Sequence, residues 1–137
     1  MDMRVPSGFV RPRPRTVAIG WGIHPEDRAA LLERFPPVYP RVMADHVVCK
    51  IAARPREPLP GPRYARIVGE ADDEAGVQCL VVEIDGSVER WDGAVFHATW
   101  SLDERARRQP IESNGVIAWL GWTPVEPVWM RLLPARF

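Results

Sequence analysis

The sequence predicts an α+β fold with a mainly antiparallel sheet and one clear helix. The chain of 137 residues has the usual size of a single domain. Its fifteen prolines and six tryptophans disfavour long helices and favour strands and loops. One strand pattern and one helix pattern come first, and mostly strand patterns follow, which is typical of a sheet whose strands pair with sequence neighbours.

The N-terminal stretch differs from the rest. Residues 1–14 are predicted to form an extended basic arm, because Arg11-Pro12-Arg13-Pro14 favours an extended backbone and apolar residues there are scattered. Residues 15–137 then form the single folded domain.

The first strand and the helix follow from periodicity. From Arg15 to Ile23, apolar residues recur at every second position, as in a half-buried strand. His24-Pro25-Glu26-Asp27 is typical of a helix start, and Pro36-Pro37 ends the helix. The predicted buried stripe of this helix is Leu31, Leu32 and Phe35.

Strand patterns account for most of the remaining chain. Val42 to Ala53 is predicted as a second, well-buried strand, and Val77 to Asp85 as a central strand because both of its faces are apolar. Between these two strands lie a proline-rich loop at 54–63 and one further predicted strand. The other predicted strands are Tyr64–Gly69, Ala94–Leu102, Gly115–Leu120 and Val128–Leu133.

Charge and apolar runs exclude some function classes. The 18 basic and 18 acidic residues cancel, which argues against coating extended duplex nucleic acid or a membrane by bulk charge. The longest near-apolar run, Val116 to Trp122, is far shorter than the roughly 20 residues of a membrane span. Without an apolar signal core or a disulfide framework, the expected location is cytoplasmic.

Two of the three histidines lie inside predicted strands. Because side chains alternate along a strand, His46 shares a face with Val48, and His97 shares a face with Thr99. A single strand histidine is ordinarily a satisfied polar group in a core or on a solvated face. Two of them, each beginning a similar string, make a shared site worth considering.

These strings are His46-Val47-Val48-Cys49 and His97-Ala98-Thr99-Trp100. The second resembles the His-x-Thr-hydrophobic motif of the 2H phosphoesterase superfamily, which includes 2',3'-cyclic nucleotide phosphodiesterases and 2'-5' RNA ligase-like proteins; the first matches it in part. The lead-in from Val38 to His46 and the segment Pro110 to Asn114 are also similar to small members. The similarity spans roughly Thr16 to Trp122.

The resemblance implies a bilobal fold with one motif strand from each lobe flanking a cleft, and no metal or other cofactor. His46 and His97 would be general acid and base, in an order that the sequence leaves open, since imidazole titrates near pH ~6.5. Thr99 would orient a phosphoryl oxygen. Val48 stands where the family has threonine or serine, and the lost hydrogen bond is worth on the order of 1.5–3 kcal/mol.

Other residues are weaker candidates. Lys50 is expected on the face of His46 and Val48, where it is a candidate for holding phosphate, although a strand-end lysine usually reaches solvent. His24 is expected to cap the helix, and Trp100 to pack in the core rather than stack on a base. Solvated or core roles are favoured for the remaining candidates, Arg54, Arg56, Arg63, Cys49 and Cys79.

The resemblance therefore implies a metal-independent phosphodiesterase acting on a 2',3'-cyclic phosphate or a related phosphodiester of a nucleotide or RNA end. One alternative is a non-catalytic nucleotide or RNA-end binding module that retains the cleft with a decayed site. The other is a structural or interaction protein whose histidines are incidental. Neither the natural substrate nor the oligomeric state is specified by these patterns.

Overall fold

A computed structural model describes residues 17–137, so the predicted arm at 1–14 lies outside the described residues. Seven strands and two α-helices follow one another, with a short 3-10 helix at Glu104–Ala106. In chain order they are β1 (Val17–Ile23), α1 (Pro25–Arg34), β2 (Arg41–Val42), β3 (His46–Ala53), β4 (Arg63–Asp72), β5 (Val77–Glu83), β6 (His97–Leu102), α2 (Glu112–Leu120) and β7 (Thr123–Arg136).

All seven strands belong to one sheet, in the order β2-β6-β5-β4-β7-β1-β3, and every neighbouring pair is antiparallel. This confirms the predicted α+β class with a mainly antiparallel sheet. The two lobes implied by the resemblance are not seen, because the strands of the described residues form a single sheet rather than two.

The sheet is rolled, because its two edge strands are consecutive parts of one segment, residues 41–53. β2 pairs with β6, and β3 pairs with β1 at the other edge. Between them, the N–H groups of Met43 and Ala44 donate to the carbonyls of Trp100 and Thr99, at 2.8 and 3.0 Å. One segment thus joins both edges of the sheet, and the inner face encloses the core.

The main core lies on this inner face and is covered by α1. Trp100 is fully buried there, and its Nε1 donates to the carbonyl of Phe35 at 2.7 Å. This confirms a core role for Trp100. Further members of the cluster are Trp21, Leu31, Val47, Ile67, Leu80, Met130 and Leu132.

The predicted helix is confirmed as α1. The Nδ1 atom of His24 accepts a hydrogen bond from the Glu26 N–H at 3.2 Å, so His24 is the N-cap. Leu31 and Phe35 are buried beneath the helix, and Pro36 follows its end.

The predicted strand Gly115–Leu120 is wrong, because these residues form the end of α2. Val116 and Ile117 pack on the outer face of β5, one helical turn after the buried Ser113. A short apolar run is compatible with either a strand or a buried helix, so its periodicity did not distinguish them. Residues 17–137 consequently contain two α-helices rather than the one predicted, and α2 explains why β5 is buried on both faces, as predicted for a central strand.

The predicted strand Val42–Ala53 is also corrected, since it is interrupted at residues 43–45. Ala44 is fully buried with a φ of 48°, a left-handed conformation that costs a non-glycine residue about 1–2 kcal/mol. None of the helices in the described part of the chain has the length and apolarity needed to span a bilayer.

Candidate functional site

The candidate site lies where residues 41–53 exchange one partner strand for another. Pairing of Arg41 with Leu102, and of Val42 with Ser101, sets an antiparallel register between β2 and β6. The backbone bonds of Met43 and Ala44 keep this register. Its continuation would set His46 opposite His97.

The chain turns away just before that point. After the left-handed residue Ala44, the Asp45 carbonyl accepts from the Ile23 N–H at 2.9 Å, and β3 pairs with β1. β3 and β6 therefore separate where His46 and His97 stand, since each histidine is the first residue of its strand. The separation opens a gap between the two strands.

Beside this gap, between the two strands and the start of α2, lies a cavity of about 200 Å³, which we call the histidine cavity. Both histidines line it, as do the residues two positions after them, Val48 and Thr99. Strand alternation predicted that each pair shares a face, and the resemblance implied that the two strands flank one cleft; all four side chains line this cavity. The complete lining is His46, Val48, Ile51, Arg90, His97, Thr99, Pro110, Ile111 and Asn114.

His97 forms the more buried side of the cavity. Its Nδ1 donates to the Val95 carbonyl at 2.8 Å, so the neutral ring presents a bare Nε2. Burial lowers the pKa of His97 below its ordinary value, the Val95 hydrogen bond opposes this, and the charges of Arg90 and His46 lower the pKa further. At neutral pH this imidazole is a proton acceptor.

His46 forms the more open side. Its Nδ1 lies 2.6 Å from Oδ1 of Asp45, and its ring packs against that of Phe137 with centroids 4.4 Å apart. The hydrogen bond with His46 lowers the pKa of Asp45, although desolvation raises it. The ionised carboxylate keeps a proton on Nδ1 of His46, which leaves Nε2 as the nitrogen for exchange with a ligand.

The hydroxyl of Thr99 is engaged by the protein itself. Oγ1 donates to the Pro110 carbonyl at 3.2 Å and lies 2.9 Å from Oγ of Ser113. Val48 has no hydroxyl at all. Neither position two residues after a histidine therefore presents an unengaged hydroxyl hydrogen to the cavity.

Arg90 is a cavity residue that the sequence reasoning missed. Its side chain is 3% exposed, and its Nε and Nη2 atoms donate to the two oxygens of Asp92 at 2.8 Å each. Nη1 has no acceptor among residues 17–137. The Arg-x-Asp-Gly string at 90–93, which forms a turn, was the available signal. A forked, immobilised guanidinium of this kind is suited to a phosphate oxygen.

Asn114 is the second cavity residue that was missed. It lies in the first turn of α2, and its Oδ1 is buried without a hydrogen-bond partner among the described residues. Buried polar atoms in native proteins are nearly always paired, so the expected partner of Oδ1 is a ligand or a solvent molecule in the cavity.

The expected position of Lys50 is corrected. Gly20 pairs with Val48 while its neighbour Ile19 pairs with Lys50, so β3 carries one extra residue there. This bulge shifts the alternation, and Ile51 lines the cavity in place of Lys50. Nζ of Lys50 instead binds Oε2 of Glu57 at 2.6 Å.

The other candidates do not line the cavity. The sequence-predicted core role is confirmed for Cys79, whose burial raises the pKa of its thiol to about 12, whereas Cys49 is half-buried. Arg54, Arg56 and Arg63 lie elsewhere. Across residues 17–137, no group of three or more histidine, cysteine, aspartate or glutamate side chains is arranged to hold a metal ion.

Comparison with protein families, curated proteins and solved structures found no match to this chain. The function is therefore argued from the chemistry of the histidine cavity.

Proposed function

We propose that this protein is a metal-independent phosphodiesterase that opens a 2',3'-cyclic phosphate or a related phosphodiester of a nucleotide or RNA end. The observation that carries the proposal is that two histidines with different Nδ1 partners, a carbonyl and a carboxylate, line one cavity. Pairs of titratable groups in unlike surroundings are typical of acid and base partners.

His97 is the general base in this proposal. Its pKa is lowered and its Nδ1 proton is held by the Val95 carbonyl, so Nε2 is free to accept a proton from an attacking water. His46 is the general acid in this proposal. The Asp45 carboxylate lies 2.6 Å from Nδ1 and balances the positive charge of a protonated ring, which leaves Nε2 to donate the proton.

The reaction balances as a simple hydrolysis. The water oxygen bonds to phosphorus while its proton passes to Nε2 of His97. The bond from phosphorus to one ribose oxygen breaks, and that oxygen takes the proton from Nε2 of His46. The products are a phosphomonoester and a free hydroxyl, and proton exchange with solvent restores both histidines.

Arg90 supplies the hydrogen bond to phosphate that Val48 cannot. Its unengaged Nη1 donates to a non-bridging phosphate oxygen. Because Asp92 already holds the guanidinium in place, the side chain need not be ordered when the substrate binds. Thr99, whose hydroxyl binds Pro110 and Ser113, orients the phosphoryl group indirectly by tying β6 to the start of α2.

The rest of the cavity wall is apolar, formed by Val48, Ile51, Pro110 and Ile111. Such a wall fits the sugar of a nucleotide beside its phosphate. We also keep membership of the 2H phosphoesterase superfamily as a proposal, which rests on the two strings and not on the fold. A cytoplasmic site of action is proposed with it, in line with the two free cysteines.

The three histidines allow a matched test. Purified wild type and the variants His46→Asn, His97→Asn and His24→Asn are assayed with 2',3'-cyclic nucleotides in the presence of a chelator. Loss of an acid or base should lower kcat by about 10²–10⁴-fold for His46→Asn and His97→Asn. His24→Asn, which keeps a helix cap outside the cavity, should retain wild-type turnover. Full activity of either cavity variant contradicts the proposal.

A non-catalytic nucleotide or RNA-end binding module is the second candidate. It is favoured by the absence of an unengaged hydroxyl beside either histidine, at Val48 and Thr99. A binding titration with the same cyclic nucleotides distinguishes this module from the hydrolase. Binding to wild type but not to His97→Asn, with no product formed by either protein, supports the module.

A further inference from the structure

A second cavity, which we call the α2 cavity, adjoins the histidine cavity. It has a volume of about 360 Å³ and lies between the loop before β6 and helix α2. Asn114 lines both cavities, so this residue stands at their junction. The other residues that matter here are Ala94, Val95, Ile117, Ala118 and Trp122.

Apart from Asn114, the residues that line the α2 cavity are apolar or glycine, and none of them is charged. Trp122 is held firmly, because its ring rests directly on the backbone at Gly69, where no Cβ could be accommodated. Ala94 and Ala118 keep the opposing walls short. A ligand group that fits such a space has apolar faces and no charge.

The junction differs from these walls. Asn114 Oδ1 has no hydrogen-bond partner among the described residues, and a carboxamide carries both an acceptor and two donors. A ligand that fills the α2 cavity and has a polar edge near Asn114 would satisfy it. The part of the ligand beyond that edge continues into the histidine cavity.

We infer that the α2 cavity is a nucleobase subsite, and that Asn114 binds the polar edge of the base while the attached phosphodiester lies between the histidines. A nucleobase has apolar faces, a hydrogen-bonding edge and no charge at neutral pH. This inference rests on the proposed function for the position of the phosphate. It adds the place where the base of such a substrate binds.

The test fills the α2 cavity from each wall and leaves the histidines unchanged. The variants are Ala118→Phe and Ala94→Phe, and the matched control is Ala29→Phe on the exposed side of α1. Each is assayed with 2',3'-cyclic cytidine monophosphate and with methyl riboside 2',3'-cyclic phosphate, which lacks a base. The ratio of the two kcat/KM values is compared, because a general loss of folded protein cancels in it.

In the variants with a filled cavity, the ratio should fall by about tenfold or more, mainly through KM for the cyclic nucleotide. Asn114→Leu should lower the ratio as well, since the base edge then loses its partner. Ala29→Phe should leave it unchanged. If both phenylalanine variants turn over both substrates with the wild-type ratio, the nucleobase subsite is overturned while the hydrolase proposal stands.

Binding of cytidine, which has no phosphate, separates the two proposals. Cytidine should shift the amide NMR signals of Gly93, Ala94 and Gly121 in wild type and in His97→Asn, and not in Ala118→Phe. If these shifts occur in a protein that hydrolyses neither substrate, the subsite stands and the hydrolase fails. If cytidine leaves these signals unmoved at millimolar concentration, the subsite is overturned.

Discussion

The two sides of the histidine cavity place their imidazole rings in different electrostatic surroundings. On the β6 side, His97 is partly buried, its Nδ1 faces a carbonyl, and its pKa is lowered. On the β3 side, His46 is more open and its Nδ1 faces the ionised carboxylate of Asp45. In the proposed mechanism, this difference assigns opposite directions of proton transfer to two residues of one type in one cavity.

The comparison also extends to the groups behind the rings. A buried guanidinium, that of Arg90, lies on the side of the neutral imidazole, and its charge contributes to the lowered pKa of His97. A carboxylate, that of Asp45, supports the other ring. Division of labour between identical side chains thus depends on their second hydrogen-bond partners and on nearby charge.

The largest loss of activity among these changes is expected when the carboxylate of Asp45 is removed. Asp45→Asn deprives His46 of the partner that orients and charge-balances it, so kcat for a cyclic nucleotide should fall by about 10²-fold. Asp85→Asn is the control, because that exposed carboxylate pairs with Arg63 outside the cavity. Equal kcat for Asp45→Asn and wild type would remove Asp45 from the proposed mechanism.

Removing the guanidinium tests the other side. Arg90→Met should lower kcat/KM by about 10–100-fold through the lost phosphate contact. Because the Arg90 charge lowers the pKa of His97, its removal should also move the rising limb of the pH profile to higher pH. The kcat/KM of Arg90→Lys should lie between those of wild type and Arg90→Met, since lysine keeps the charge but lacks the forked guanidinium.

The control for Arg90 is Arg54→Met, whose side chain is 87% exposed and outside the cavity. It should match wild type in kcat/KM and in its pH profile. An Arg90→Met protein that folds, as judged by its thermal unfolding, and keeps the wild-type pH profile would show that Arg90 is only structural.

A hydroxyl at position 48 should increase turnover, because it gives β3 the side-chain donor that β6 has in Thr99. Val48→Thr preserves shape and adds a donor on the His46 side, so turnover should rise by up to about tenfold. Val42→Thr, on the exposed part of β2, is the matched control and should have no effect. An unchanged rate for Val48→Thr would contradict the view that a donor missing at this position limits turnover.

The smallest expected effect is on stability. Because the folded pKa of His97 lies below its ordinary value of 6.5, the unfolded chain binds the proton more readily. The stabilisation from neutral His97 is complete above that ordinary value and is lost as pH falls towards the folded pKa. The Tm advantage of wild type over His97→Asn should therefore shrink between pH 7.5 and 5.5, and a constant difference would contradict the lowered pKa.

Much of the molecule follows from local patterns. Alternation predicted β1 and the shared faces of the pairs that begin with His46 and His97, and proline positions predicted the bounds of α1. These features depend on residues a few positions apart, so a single sequence carries them. The strand predicted at Gly115–Leu120 failed because an apolar run of that length looks alike in a helix that packs on a sheet.

The sequence alone was sufficient to predict which side chains share a strand face and where the helix α1 begins and ends. The tertiary structure alone showed that β2 pairs with β6 in a register that directs His46 towards His97, although the chain turns to β1 before the two residues pair. It also showed that a bulge turns Lys50 away and that the loop before β6 delivers Arg90. The physical reason is that alternation is a property of one strand, whereas register, bulges and cavities arise between segments whose pairing is settled by burial of the whole core.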